Sequence, residues 1–150
     1  MSEAAQALCR RLGIALPIIQ APMAGAQGSA LAIAVTGAGA LGSLPCAMLA
    51  PAAIRAELQA IRCATRQPYN VNFFCHAAPV ADPAREARWR ETLRLYYAEF
   101  GLDPDHVAPT PPRLPFDAAT LEAIAPFAPP VVSFHFGLPA PELLERVRRC

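Results

Sequence analysis

Short apolar runs alternate with longer stretches of helical periodicity along this chain. Four runs have the length of buried strands, at residues 16–21, 40–44, 69–74 and 131–134. Proline or glycine bounds these runs, as expected where strands give way to turns. The intervening stretches place apolar residues on one helical face, and they predict helices over residues 28–36, 51–63, 83–100, 117–125 and 139–150.

This order of strand and helix, repeated four times, predicts an α/β fold with a parallel sheet covered on both faces. Four such units make either a small open sheet or half of an eight-stranded barrel, and the strand count does not separate the two. No internal repeat or linker divides residues 1–150, so we expect one domain without a separate second one. A proline-rich segment at residues 102–116 is predicted to be a long loop.

Charge and composition narrow the possible functions. The chain has 13 basic and 12 acidic residues, a net charge of +1, and no Lys, which excludes a Schiff-base lysine and a Walker-type phosphate loop. Nothing indicates a nucleic-acid partner. The uncharged stretch 12–54 is broken by Pro and Gly, which favours a buried core over a membrane span. Five Cys without a C-x-x-C pair indicate reduced thiols and a cytoplasmic location.

A glycine fingerprint is the first candidate site. Gly37, Gly39 and Gly42 match G-x-G-x-x-G, which binds dinucleotide phosphates where a strand leads into a helix. Here Pro45 follows at once and would interrupt such a helix. A helix-to-strand turn is therefore favoured, and a dinucleotide-binding domain is the alternative.

The ends of three predicted strands carry polar groups. Pro22 and Gly25 make a rigid, neutral turn after the first strand, where ligands of parallel α/β folds bind. The turn is either a surface for an aromatic cofactor or a plain exit from the strand, and the residues alone do not separate the two. Asn70 and Asn72 share one side of the third strand, and two amides there need hydrogen-bond partners or a ligand. His135 ends the fourth strand between two Phe, which leaves open a structural or a functional role.

Other chemistry is weakly supported. His76 follows the third predicted strand and could be a plain surface residue, and nothing catalytic is expected of His106 in the proline-rich loop. The three His have no Cys, Asp or Glu at ligand spacing, so no metal site is predicted. No nucleophile elbow is present, and a cysteine nucleophile has no local support.

Together, these segments resemble the N-terminal part of nitronate monooxygenases, the flavin-dependent family formerly called 2-nitropropane dioxygenases. The matching segments are residues 17–25, 68–76 and 131–137, and residues 37–43 fit the family's second strand. The resemblance implies a TIM-type (β/α)8 barrel, with about four of its eight units in residues 1–150, and a non-covalent FMN.

The same resemblance assigns roles to individual residues. Pro22, Met23 and Ala24 would pack at the isoalloxazine ring, and Asn72, which follows a Val as in the family, would hydrogen-bond the flavin. His135 would line the substrate side. The implied reaction is oxidation of alkyl nitronates, such as propionate 3-nitronate, by dioxygen to carbonyl compounds and nitrite.

The chain also departs from the family pattern. The family's principal catalytic His, in an Ala-Gly-Gly-His segment, and its FMN phosphate site lie beyond the fourth strand and outside this sequence. A half-barrel is expected to expose sheet edges and barrel-facing residues such as Ile19 and Val71, so that residues 1–150 alone are expected to be marginally stable or to pair with a second copy. The alternatives are an FMN-dependent NAD(P)H:quinone or enoyl reductase on the same barrel, and a non-catalytic truncated remnant.

Overall fold

A computed structural model describes residues 1–77, 80–106 and 114–150. Three parallel strands form a sheet in the order β1 (Gly42–Pro45), β2 (Tyr69–Phe74), β3 (Val131–His135). The helices are α1 Glu3–Leu12, α2 Ser29–Gly37, α3 Pro51–Ala64, α4 Pro83–Thr92, α5 Arg94–Glu99, α6 Ala118–Ile124 and α7 Pro141–Arg148, with a 3-10 turn at Ala125–Phe127. No helix within the described ranges is long and apolar enough to cross a membrane.

The described residues fall into two compact units, one of residues 1–77 with 114–150 and the other of residues 80–106. The second unit contains α4 and α5, where a single helix over residues 83–100 was predicted. Leu93 separates them with a backbone conformation of φ −90° and ψ 1°. Its neighbour Trp89 is 61% exposed, so the predicted apolar stripe of this helix forms no core. Part of the predicted proline-rich loop, residues 107–113, lies outside the described residues, as do residues 78–79.

The predicted first strand at residues 16–21 is reduced to one parallel bridge, between Ile19 and Leu41. Gln20 N donates to Leu41 O (2.9 Å) and Leu41 N donates to Ile18 O (3.0 Å). Beyond this bridge, the Gln20 side chain makes the hydrogen bonds to β1 that backbone groups would otherwise make. Gln20 Oε1 accepts from Ser43 N (3.1 Å), and Gln20 Nε2 donates to Ser43 O (3.3 Å). Pro22 has no N–H to continue a ladder. Within the described residues, three strands and one bridge thus stand where four strands were predicted.

One face of the sheet, here called the outer face, carries the main core. Leu44, Val71 and Phe73 lie on it and are at most 2% exposed. They pack with α3 residues Ile54 and Leu58 and with residues of α2 and α6. The expectation that Val71 faces an open barrel interior is therefore wrong: Val71 stands in register with Leu44, so both side chains point at the helices. Ile19, in contrast, is 51% exposed as expected.

The opposite face, here called the inner face, carries the other set of alternating side chains. Register pairs Ser43 with Asn70 and Asn72 with Ser133, so these polar residues lie side by side. At the amino ends of the strands, a small cluster covers this face and consists of Cys9, Leu12, Ile14, Leu41 and Val131. This cluster includes residues of α1, a helix that was not among the predicted elements. Two sequence signals for α1 were nevertheless present, since Ser2 caps its start and Gly13, at φ 68°, ends it.

The glycine fingerprint is a helix-to-strand turn. Gly37 ends α2, Gly39 turns the chain at φ 91°, and Gly42 begins β1. A Cβ on Gly42 would lie 2.1 Å from the backbone oxygen of Ala32, so the glycine permits close packing of helix on strand. The dinucleotide alternative is wrong here, because it requires these glycines to lead from a strand into a helix.

Candidate functional site

A hydrogen-bonded cluster lies on the inner face at the carboxyl ends of β2 and β3. Asn72 Nδ2 lies 2.8 Å from Ser133 Oγ, 3.2 Å from Ser133 O and 3.0 Å from His135 Nδ1. Asn72 is 1% exposed, whereas His135 is exposed. Parallel strands in register bring these residues together, since Asn72 faces Ser133 and Phe74 faces His135. A buried amide thus fixes an accessible imidazole.

The contacts of Asn72 also bear on the tautomer of the imidazole. The Ser133 carbonyl can only accept, so the amide atom facing it is the NH2 group. His135 Nδ1 faces that same NH2 group at 3.0 Å, and in the neutral tautomer in which Nδ1 accepts this hydrogen bond the ring proton lies on Nε2. His135 can therefore present an Nε2–H donor to a ligand.

Aromatic rings surround the imidazole. The ring of Phe74 lies 6.3 Å from His135 and 5.0 Å from Phe136, in edge-to-face arrangements. His76 is also within this group, at 6.4 Å from Phe74. The carboxyl ends of β2 and β3 thus combine one fixed donor with an apolar aromatic wall.

The turn that contains Pro22, Met23 and Ala24 is anchored to β1 at Ser43, the second residue of that strand. Gln27 Nε2 donates to Ser43 O (3.0 Å), and Gln20 Nε2 donates to Gln27 Oε1 (2.7 Å). Two Gln side chains from either end of the turn therefore meet at one strand residue. Met23 is 47% exposed, whereas Pro22 and Ala24 are half-buried.

The structure brings the predicted site residues together in part. Asn72 and His135 are in direct contact, whereas no described hydrogen bond joins the turn at Pro22–Ala24 to either of them. The turn is tied instead to Ser43, the register partner of Asn70. Sequence reasoning assigned no role to Ser133 or Gln27. The two-residue spacing of Ser133 and His135 was a usable signal for Ser133, but Gln27 lies in a loop and offered none.

Asn70 occupies a deeper layer of the inner face. Its Nδ2 donates to Ser43 Oγ (3.0 Å), and it is 3% exposed. Among the described residues, its Oδ1 is a buried oxygen that has no hydrogen-bond partner. The two amides that the sequence singled out therefore differ, because Asn72 reaches the exposed edge through His135 and Asn70 does not.

The thiols near the sheet are held in the protonated form. Burial raises the pKa of Cys46 to about 12, and burial also raises the pKa of Cys75, which follows β2. A thiolate is the nucleophilic form of cysteine, so neither residue is activated.

Other anion or metal sites have little support in the described parts of the chain. The amino end of α2 already has a carboxylate, since Ser29 N donates to Glu57 Oε2 (2.7 Å). No group of three His, Cys, Asp or Glu that could hold a metal is found in the ranges described. His106 is exposed and pairs with Asp103 through Nδ1 and Oδ2 (2.6 Å).

A family model and curated relatives identify one family. A family model described as nitronate monooxygenase matches residues 5–150. A nitronate monooxygenase of Pseudomonas aeruginosa is 46% identical over 137 residues, 87% of this chain and 37% of that protein. One from Paraburkholderia phytofirmans is 37% identical over 145 residues, covering 96% of this chain and 40% of its own length.

A solved structure shares the fold of this chain. Nitroalkane oxidase from Streptomyces ansochromogenes superposes with a TM-score of 0.76 at 31% identity, covering 99% of this chain and 40% of that one. The chain therefore spans about 40% of the length of the proteins it matches.

Proposed function

The chain belongs to the nitronate monooxygenase family, and we propose that it provides the N-terminal strands of a TIM-type barrel enzyme that oxidises alkyl nitronates. Dioxygen is the proposed oxidant, and a carbonyl compound and nitrite are the proposed products. The observation that carries this proposal is the fixed imidazole of His135, held by Asn72 at 3.0 Å on the carboxyl edge of a parallel sheet. Active sites of barrel enzymes lie at this edge.

The residues present fit one side of a flavin ring, and we propose FMN as the cofactor. The turn at Pro22, Met23 and Ala24 offers a partly exposed apolar surface, on which an aromatic ring can lie. The Asn72 NH2 group already faces Ser133 and His135, so its Oδ1 would be the atom that accepts a hydrogen bond from the polar edge of the ring. His135 would lie on the substrate side. When bound, the flavin supplies electron transfer between the nitronate and dioxygen.

The chain's own residues have the tasks of binding and orientation. His135 Nε2–H donates to a nitronate oxygen, while the nitronate carbon remains free to react. Asn72 keeps the imidazole in the required tautomer, and Ser133 in turn orients the Asn72 amide. The Gln20–Gln27 pair holds the turn against β1, so that the ring-facing surface is fixed before the cofactor arrives.

An FMN titration of the purified chain tests the cofactor assignment. Visible absorption and flavin fluorescence should report saturable binding that weakens about tenfold or more in Gln27→Ala, because that change releases the turn. Gln59→Ala is the matched control, since Gln59 lies on an exposed face of α3 and contacts neither Ser43 nor the turn. Equal binding by all three proteins would show that the turn does not hold the ring.

Reduction of the bound flavin then separates the enzyme classes. Anaerobic addition of ethyl nitronate should bleach the flavin absorption, and air should restore it with release of nitrite. Bleaching by NAD(P)H but not by the nitronate would replace the proposal with a quinone or enoyl reductase. If no FMN binds, the chain is a non-catalytic member of the family.

A further inference from the structure

Phe136 adopts a backbone conformation that aromatic residues rarely adopt. Its φ is 65°, in the left-handed region, and Gly137 follows at φ 114°. Such a conformation is strained for a bulky residue and persists only where the surrounding structure imposes it. Phe136 directly follows His135 at the end of β3.

The left-handed turn changes the face on which the ring lies. Along a strand, successive side chains alternate, so an extended Phe136 would fall on the outer face with Phe134. Instead its ring lies 5.0 Å from that of Phe74 and 6.2 Å from that of His135. Since Phe74 and His135 are register partners on the inner face, the turn brings Phe136 to the inner face beside them.

Packing does not account for this arrangement. Phe136 is 69% exposed, so its contact with Phe74 covers only a minor part of the ring. A strained residue that gains little burial is a candidate for function. The exposed part of the ring lies beside the one fixed donor of the site, the His135 imidazole.

We propose that Phe136 determines substrate chain length by providing the apolar wall against which the substrate's alkyl chain packs. The ligand class is a small anion with an oxygen-bearing head group, bound at His135, and an unbranched alkyl tail, packed on Phe136 and Phe74. The proposal rests on the proposed function for the identity of the head group as a nitronate. Each methylene placed on the wall should increase affinity up to roughly fourfold.

Calorimetry with alkyl carboxylates tests the wall without any chemistry. Acetate, butanoate and hexanoate carry the same two-oxygen anionic head as the nitronates and differ only in their tails. Affinity for the unmodified chain should rise from acetate to hexanoate, and in Phe136→Ala it should become nearly independent of length, with acetate binding changed less than about twofold. No dependence on length in the unmodified chain, or equal weakening of all three acids, would overturn the proposal.

Thermal melting separates this role from a structural one. Phe136→Gly should melt at the same temperature as the unmodified chain or higher, because glycine adopts this φ without strain. Phe134→Ala should melt at a lower temperature, since Phe134 packs in the main core. If Phe136→Gly melts as early as Phe134→Ala, the ring is a packing residue and the inference is wrong.

The two proposals fail in distinguishable ways. In one outcome, affinity depends on chain length, Phe136→Ala abolishes that dependence, and no nitronate is oxidised. This outcome would reject the enzyme function and support Phe136 as the apolar wall. Oxidation of ethyl, butyl and hexyl nitronates with equal KM values would keep the enzyme function and reject the wall.

Discussion

The two faces of the sheet are built from adjacent residues of the same strands, yet they differ in chemistry. On the outer face, Leu44, Val71 and Phe73 meet the helices in a closed apolar core. On the inner face, the neighbouring residues Asn70 and Asn72 form hydrogen bonds between strands. The two faces therefore have different roles: the outer face stabilises the fold, and the inner face positions polar groups.

Buried amides on the inner face are tolerated because each has a hydroxyl partner on the next strand. Asn70 pairs with Ser43 at 3.0 Å, and Asn72 pairs with Ser133 at 2.8 Å. An unpaired buried amide would cost roughly 1–3 kcal/mol. The arrangement of the inner face therefore depends on hydrogen-bonded pairs of residues. The arrangement of the outer face depends on the shape and volume of its apolar side chains.

The most severe test of the outer face is Gly42→Ala. A Cβ at this position would lie 2.1 Å from Ala32 O and 2.5 Å from Thr36 Oγ1, so α2 must move off the sheet. We expect a loss at or above the roughly 3 kcal/mol upper end of ordinary overpacking, measured by urea unfolding. Gly37→Ala is the matched control, because nothing lies within 4 Å of its Cβ position; equal losses in both variants would contradict the close-packing argument.

Removing volume from the same core should have the next largest effect. Leu58 is fully buried against the outer face, and Leu58→Ala should lower the free energy of unfolding by about 2–5 kcal/mol. Leu95 is 81% exposed, so Leu95→Ala should change the free energy of unfolding by no more than roughly 0.5 kcal/mol. A similar cost for both would mean that the helices do not form a cooperative core with the sheet.

On the inner face, the two amides should respond unequally. Asn72→Ala leaves Ser133 and His135 without their shared donor and should cost about 1–3 kcal/mol. Asn70→Ala should cost less, because it also removes the buried Oδ1 that has no partner among the described residues. Chemical denaturation of the two variants decides this, and a greater loss for Asn70→Ala would reverse the assignment.

The smallest expected effect is a pH dependence that arises from the outer face. Burial raises the pKa of Cys46 from 9.0 to about 12, so in this range the unfolded chain loses the thiol proton while the folded chain keeps it. Stability from this group is fully present below about pH 9 and is lost as pH rises toward 12. At about pH 10, its contribution should be roughly 1.4 kcal/mol below its value at pH 8.

Cys46→Ala provides the reference for that measurement, since Tyr69 also has a raised pKa and titrates in the same alkaline range. The difference in unfolding free energy between the unmodified chain and Cys46→Ala should shrink as pH rises. A difference that stays constant from pH 8 to pH 11 would show that the Cys46 thiol is more accessible than its 2% exposure indicates.

Sequence periodicity predicted the sheet and its helices where burial is strongest. The strand at residues 69–74 matches β2 to the residue, and the predicted helix at residues 51–63 matches α3 to within one residue. The strand at residues 16–21 was wrong as an element, because a side chain, Gln20, takes over the pairing that backbone groups would make. Periodicity indicates which side chains are buried. It contains no information on whether a side chain or the backbone makes the hydrogen bonds to the next strand.

The candidate site was predictable as a set of positions but not as a set of contacts. The positions of Asn72 and His135 followed from strand ends and from the family resemblance, and the structure joins them at 3.0 Å. The Gln20–Gln27 contact and the left-handed turn at Phe136 had no sequence signal, since they depend on loop geometry. The roles of Pro22, Met23, Ala24, Asn72 and His135 toward FMN stay predictions.

The sequence by itself determined the family, the parallel α/β class and the elements whose apolar pattern is continuous, because these depend on residue order and on spacing along one segment. The tertiary structure decided which face each polar residue joins and which partner it meets. Those outcomes depend on strand register and on the path of the turns, which place residues 61 or 63 positions apart within hydrogen-bonding distance. A local pattern cannot encode that distance, and for this reason the hydrogen bond between Asn72 and His135 emerges only in the folded chain.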